Sequence, residues 1–126
     1  LLWGDDLHPI DYAGLIETHQ KGEAPMTMCA TESHTEMNLR HQNGVLEAYD
    51  KTSTLEGLNG YEAGTSVVEK SVVMEHGKSG VWSWEQTVYP ALAGRIQIHL
   101  DDTPFWDMGT PERLALLEEF LKKTTL

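Results

Sequence analysis

One cysteine, Cys29, stands in 126 residues, so the chain has no internal disulfide and no cysteine-built zinc site. Cationic side chains are also scarce. Nine Lys and Arg against twenty Asp and Glu leave a net charge of −11 at pH 7. Such a field repels phosphate backbones and anionic headgroups, which excludes binding a nucleic-acid polymer or a membrane surface as the primary role. There is no run of about 18 apolar residues. The N-terminal residues lack the basic start and apolar stretch of a signal peptide, so a cytoplasmic location is the expectation. HExxH and Gly-x-Ser-x-Gly are missing, and Gly57, Gly60 and Gly64 have the wrong spacing for a dinucleotide loop. His8, His19, His34, His41, His76 and His99 are widely scattered and read as surface residues rather than zinc ligands.

What is present is globular: 40% of the residues are apolar and 23% charged. At this length one domain, or part of one, is expected. An acidic chain of this kind handles a phosphorylated substrate only with a metal cation or with a basic surface from another segment.

Leu1-Leu2-Trp3 reads as the last residues of a strand whose beginning lies outside the chain, running into Gly4-Asp5-Asp6. Ile10 to Lys21 is a short amphipathic helix, with Asp11 as N-cap and Gly22 as stop. Ala24 to Thr31 is a strand with Met26, Met28 and Ala30 on one face. Asn43-Gly44 is a hairpin turn, and Val45 to Lys51 the returning strand. A polar loop, Thr52 to Gly60, leads to a strand over Tyr61 to Val68 and a short helix near Glu69 to Glu75. Ser83 and Gln86 have capping-box spacing, which predicts a helix from Trp84 to Leu92. Ile96, Ile98 and Leu100 alternate as in a half-buried strand, and Pro104 to Trp106 is a short extended piece. Thr110 as N-cap and Pro111 at the first helical position open a last helix, with Leu114, Leu117 and Leu121 on its apolar face and Phe120 at the margin. The order α, β, β, β, α, α, β, α gives an α/β fold, a layered mixed sheet with helices on its faces.

Two acidic segments follow extended pieces and precede turns: Gly4-Asp5-Asp6, and Asp107 within Phe105-Trp106-Asp107-Met108-Gly109-Thr110-Pro111. Carboxylates at the carboxyl ends of strands in an open α/β sheet face the ligand crevice. Two of them, with open coordination positions, suit Mg²⁺ bridging phosphate oxygens. Trp3, Trp82, Trp84 and Trp106 belong to the core or to the edge of that crevice rather than to a nucleic-acid stacking platform.

Gly4-Asp5, Tyr49-Asp50-Lys51, Glu62-Ala63-Gly64, Ser83-Trp84-Glu85 with Tyr89-Pro90-Ala91-Leu92, and Trp106-Asp107-Met108-Gly109-Thr110-Pro111-Glu112 occur in a meaningful order. Order and approximate spacing together resemble the sugar-phosphate nucleotidyltransferases, which join a nucleoside triphosphate to a sugar 1-phosphate. The resemblance covers essentially the whole chain but only the C-terminal part of that family's Rossmann-like domain. The N-terminal half, with its Gly-rich phosphate-cradling loop, has no counterpart here, so that half or a partner chain would have to supply it.

The resemblance implies roles. Asp5 and Asp107 would hold Mg²⁺, and Lys51 would contact the sugar phosphate. Asp50, Glu62, Gly64 and Glu85 would line the sugar site. Asp6 stands where the family more often has Ser, Thr or Asn, Thr52 replaces the usual proline after the lysine, and Glu62 stands where many members carry Asn or Asp. The implied reaction yields an NDP-sugar and pyrophosphate. A non-catalytic half-domain that binds a sugar phosphate or pairs with another subunit is the alternative.

Overall fold

The computed structural model describes residues 1–124. The chain runs β1 (Asp6–Leu7), α1 (Tyr12–Lys21), β2 (Met26–Thr31), β3 (Leu39–Gln42), β4 (Val45–Tyr49), β5 (Tyr61–Val68), α2 (Lys70–His76), α3 (Trp84–Ala91), β6 (Ile96–Leu100), β7 (Trp106–Asp107) and α4 (Pro111–Lys123). Five strands form one mixed sheet in the order β3-β4-β6-β2-β5, in which β2 and β6 are parallel and the other pairs antiparallel. The expected α/β class with a mixed sheet is therefore the observed one.

All six residues of β2 are buried, because helices cover both faces of this strand. Met26, Met28 and Ala30 join Val72 of α2 and Val88, Tyr89 and Leu92 at α3 in the larger core, together with Ile96 and Ile98 of β6. The intervening Cys29 points to the opposite face, where it meets Ile10 and Leu15 below α1. This is the two-residue period of a strand with apolar layers on both sides.

The expected caps form. Asp11 Oδ1 accepts from the Gly14 amide at 3.0 Å, Ser83 Oγ from Gln86 at 3.3 Å and Thr110 Oγ1 from Arg113 at 3.3 Å. Asn43 and Gly44 both have positive φ, as the tight turn between β3 and β4 requires.

Four expectations are corrected. β3 is a strand in its own right, although Leu-Arg-His-Gln carries little apolar signal; it lies at the sheet edge, where polar side chains are tolerated. Leu1 to Trp3 reaches β5 through one isolated bridge, Leu2 to Thr65, rather than through a strand. On α4 only Leu117 is buried; Leu114 and Leu121 are exposed, while Phe120 stacks on Trp106. His8 and His19 are buried, not surface residues. His19 bridges Thr27 Oγ1 and Glu69 Oε1, each at 2.8 Å, although the Glu69 side chain stays largely exposed. His8 faces Thr65 Oγ1 at 3.2 Å, and burial holds its imidazole below the usual histidine range. No helix among the described residues is long and apolar enough to cross a membrane.

Candidate active site

The parallel strands β2 and β6 end on the same side of the sheet, and the chain beyond β6 turns back across that end. Asp101 donates its amide to Ala30 O at 3.0 Å, and Thr31 Oγ1 donates to Asp102 at 2.7 Å, which fixes the segment leading to Phe105. A crevice of about 390 Å³ opens here. Its walls include Asp5, Lys51, Glu62, Gly64, Glu85 and Asp107, which come from segments spread over most of the chain.

At one end β1 and β7 pair antiparallel, with Asp6 opposite Asp107. This ladder brings the two acidic segments together. A Cβ at Gly109 would stand 2.8 Å from Asp107 Oδ1 and 3.8 Å from Asp5 Oδ2, so both carboxylates face the space that the missing side chain leaves. Asp107 Oδ1 also accepts the Gly109 amide at 2.5 Å, and Oδ2 is held by Arg113 Nη1. Burial, reinforced by the charges of Asp5 and Asp107, raises the Asp6 carboxyl to a pKa of about 6. Negative charge is therefore in surplus at this end. Oxygen donors around a Cβ-free space with uncompensated charge fit a hard divalent cation, which would complete its shell with water or phosphate oxygens. Among the described residues, no three His, Cys, Asp or Glu side chains are grouped to hold a metal ion by themselves.

The other end is the floor formed by β4, β5 and α3. Glu62 is buried, and its Oε1 accepts the Gly64 amide at 2.9 Å. Desolvation raises its pKa to about 7, with further upward pressure from Glu85 and Asp6, while the Gly64 amide and the Trp3 indole pull it down. Glu85 accepts from Tyr49 Oη at 3.1 Å and from Lys51 Nζ at 2.7 Å. Burial, and then the charge of Glu85, pushes the Tyr49 hydroxyl far up, so it acts as a donor throughout the usual pH range.

Gly64 is required where the two ends meet. The register of β5 against β2 shifts between Met28 and Ala30, and Gly64 takes φ +76° in this irregularity. A Cβ there would come within 2.5 Å of Asp6 Oδ2 and 2.6 Å of Trp3 Cδ1. Only glycine lets the sheet and the aspartate ladder approach this closely.

Asp50 is not in the crevice wall. Its two oxygens accept from the amides of Thr52, Thr54 and Leu55 and from the hydroxyls of Thr52 and Thr54, and these bonds hold its carboxyl below the usual range. It builds the loop after Lys51. Conversely, Glu36, Asn38, Ser53, Tyr61 and Phe105 line the crevice without having been singled out in the sequence. Asn38 carries a structural duty as well, accepting the Glu62 amide at 2.8 Å. These residues lie in loops and at strand starts, and no spacing pattern marks them. Trp3 does line the crevice, as expected of an edge residue.

In sequence, no protein-family model and no curated protein matches the chain. Solved structures do. HddC from Yersinia pseudotuberculosis superposes with a TM-score of 0.73 at 19% identity, over 94% of this chain and 53% of that one. A protein assigned as a glucose-1-phosphate thymidylyltransferase from Bacillus anthracis, in complex with a sucrose, gives 0.75 at 10% identity over 99% and 55%. The inositol-1-phosphate CTP transferase from T. maritima gives 0.70 at 14% identity over 98% and 54%. The chain spans about half the length of each, and over that half it shares their mixed α/β fold.

Proposed function

We propose that this chain supplies the sugar-phosphate and metal side of a nucleotidyltransferase that makes an NDP-sugar and pyrophosphate. The observation that carries the reading is the single crevice that unites Asp5 and Asp107 with Lys51, Glu62, Gly64 and Glu85. Two of the solved structures with this fold are named for nucleotide transfer involving a sugar or cyclitol 1-phosphate, which agrees with it. The nucleotide-cradling residues would come from an N-terminal half or a partner chain.

Joining two phosphates brings polyanions together, so positioning and charge neutralisation supply most of the rate. Asp5 and Asp107 would hold Mg²⁺, which when bound neutralises phosphate oxygens and aligns them. Lys51 presents a point cation on the same crevice, with Glu85 setting its direction. Glu85, Tyr49 and Asn38 offer acceptors and donors to sugar hydroxyls, and no side chain is needed as nucleophile.

The experiment is equilibrium titration of the 126-residue chain with a panel of sugar 1-phosphates in Mg²⁺, alongside pyrophosphate release. Binding of at least one sugar 1-phosphate is expected, with no release above a no-protein control until a nucleotide-binding half is added. Lys51→Ala then lowers kcat/KM by roughly 2–4 kcal/mol in transition-state terms, as single electrostatic contacts do. Binding without turnover in the completed protein would move the chain to the non-catalytic alternative. No binding by any sugar phosphate would remove the proposal.

A further inference from the structure

Arg113 has no part in the reading above, yet it is the cation in direct contact with Asp107. Its Nη1 holds Oδ2, while Oδ1 accepts the Gly109 amide and faces the space shared with Asp5. The two oxygens of one carboxylate therefore point at different partners. The Arg113 side chain is 58% exposed and that of Asp107 32%, so the ion pair stands largely in water. Arg113 also lines a neighbouring cavity of about 310 Å³ with His34, Tyr61, Phe105 and Trp106. That cavity gives the side chain somewhere to go. It sits on α4 three residues beyond the N-cap Thr110, and the cap bond uses its backbone amide, so it does not depend on where the guanidinium points.

A divalent ion at Asp107 would share a carboxylate with a guanidinium a few ångströms away. Like charges repel at that range, and each drains the negative charge that attracts the other. From this geometry we infer that Arg113 is a stand-in cation, which neutralises Asp107 and surrenders that carboxylate when a divalent ion binds between Asp5 and Asp107. The inference rests on the reading of those two aspartates as the metal pair. Arg113 thus acts against metal affinity and for the stability of the metal-free aspartate ladder. It keeps β1 and β7 together, a pairing of only two residues per strand, when the carboxylates would otherwise repel.

The test is Mn²⁺ binding to the 126-residue chain, followed by the electron paramagnetic resonance signal of the free ion. Wild type is compared with Arg113→Gln, Arg113→Lys and Asp107→Asn. Arg113→Gln is expected to bind Mn²⁺ about two- to fivefold tighter than wild type, the range of a half-exposed ion pair. Arg113→Lys, which keeps the charge but loses the fork, falls between them, and it serves should the glutamine variant fold poorly. Thermal unfolding supplies the second readout. Arg113→Gln lowers the midpoint without metal, and the gap closes in saturating Mn²⁺. Equal or weaker Mn²⁺ binding by both arginine variants, with Asp107→Asn clearly weakened, overturns the stand-in role and leaves the metal pair standing. A midpoint gap of the same size with and without Mn²⁺ also overturns it, since a purely structural contact behaves so. If wild type binds Mn²⁺ no better than Asp107→Asn, the metal pair and the stand-in role fall together.

Discussion

The two ends of the crevice use the same ingredients in different surroundings. At each end one cation grips one carboxylate, Lys51 on Glu85 and Arg113 on Asp107. The Glu85 side chain is only 16% exposed and that of Asp107 32%, and the difference follows from what carries them. The glutamate end is built on the five-stranded sheet and α3, with Tyr49 and Tyr89 packed edge to face behind it. The aspartate end rests on two strands of two residues each. Sheet and helix can hold a carboxyl in low dielectric, so Glu62 is governed by desolvation and by the donors placed around it. The short ladder leaves Asp107 closer to water than Glu85, and although burial is also the first cause of the raised Asp6 carboxyl, Asp5 and Asp107 crowd it, so a neighbouring cation can shift the balance. One end is organised before any ligand arrives, and the other is organised by charge.

The largest effect is expected where the ends touch. Gly64→Ala must place a Cβ within 2.6 Å of both Asp6 Oδ2 and Trp3 at a left-handed φ. Strain in the backbone and overpacking together amount to about 3 kcal/mol. Urea unfolding should show that loss, and a change under about 1 kcal/mol would mean the two ends are less tightly joined than the geometry indicates.

The second effect separates the ends by pH. Glu62 keeps its proton in the native state up to about 7, whereas its ordinary value is 4.5. The folded chain therefore binds more protons than the unfolded one between these values. Stability from this group is fully present below about 4.5 and is lost as pH rises through about 7, by on the order of 3 kcal/mol. Glu62→Gln should remove that decline. Asp6, raised to about 6, adds a decline of the same sign that the glutamine variant retains. Parallel stability–pH curves for wild type and Glu62→Gln between pH 4.5 and 7.5 would show that burial does not govern the glutamate end.

How far the sequence could be read follows the same division. The sheet and its helices were legible because caps and periods act locally: Asp11, Ser83 and Thr110 cap as their types require, Asn43-Gly44 turns, and β5 spans Tyr61–Val68 as its β-branched run implies. The aspartate ladder was not legible as a ladder, because a two-residue strand shows no period. Its convergence rested on Asp5 and Asp107 both preceding turns. Burial of His8 and His19 was invisible because their partners Thr65, Thr27 and Glu69 are brought in by tertiary structure. The orientation of Asp50 was hidden for a related reason. Its neighbour Lys51 does face the crevice, and only the folded loop shows the Asp50 carboxylate turned toward its own amides.

A third, smaller effect probes the aspartate end alone. Asp5→Asn or Asp107→Asn should each weaken Mg²⁺ or Mn²⁺ affinity about tenfold, as loss of a metal-supporting group does. The double variant should be little weaker than either single one, since each already breaks the same site. Calorimetric titration measures this directly, and additive losses would place the two carboxylates on separate ions.

The smallest effect tests whether the glutamate end includes the loop beside it. Asp50 is half-buried, and its carboxylate collects the Thr52, Thr54 and Leu55 amides. Asp50→Ala should therefore speed hydrogen exchange at those three amides and leave global unfolding almost unchanged, because exposed loop bonds open by local fluctuation. Lys51 keeps its partner in this variant, since the Glu85 carboxylate that orients it comes from α3 and not from the loop. Sugar-phosphate affinity should accordingly fall much less than in Lys51→Ala. Equal losses in the two variants would mean that Asp50 turns toward the ligand when it binds, and that the loop belongs to the preorganised end of the crevice after all.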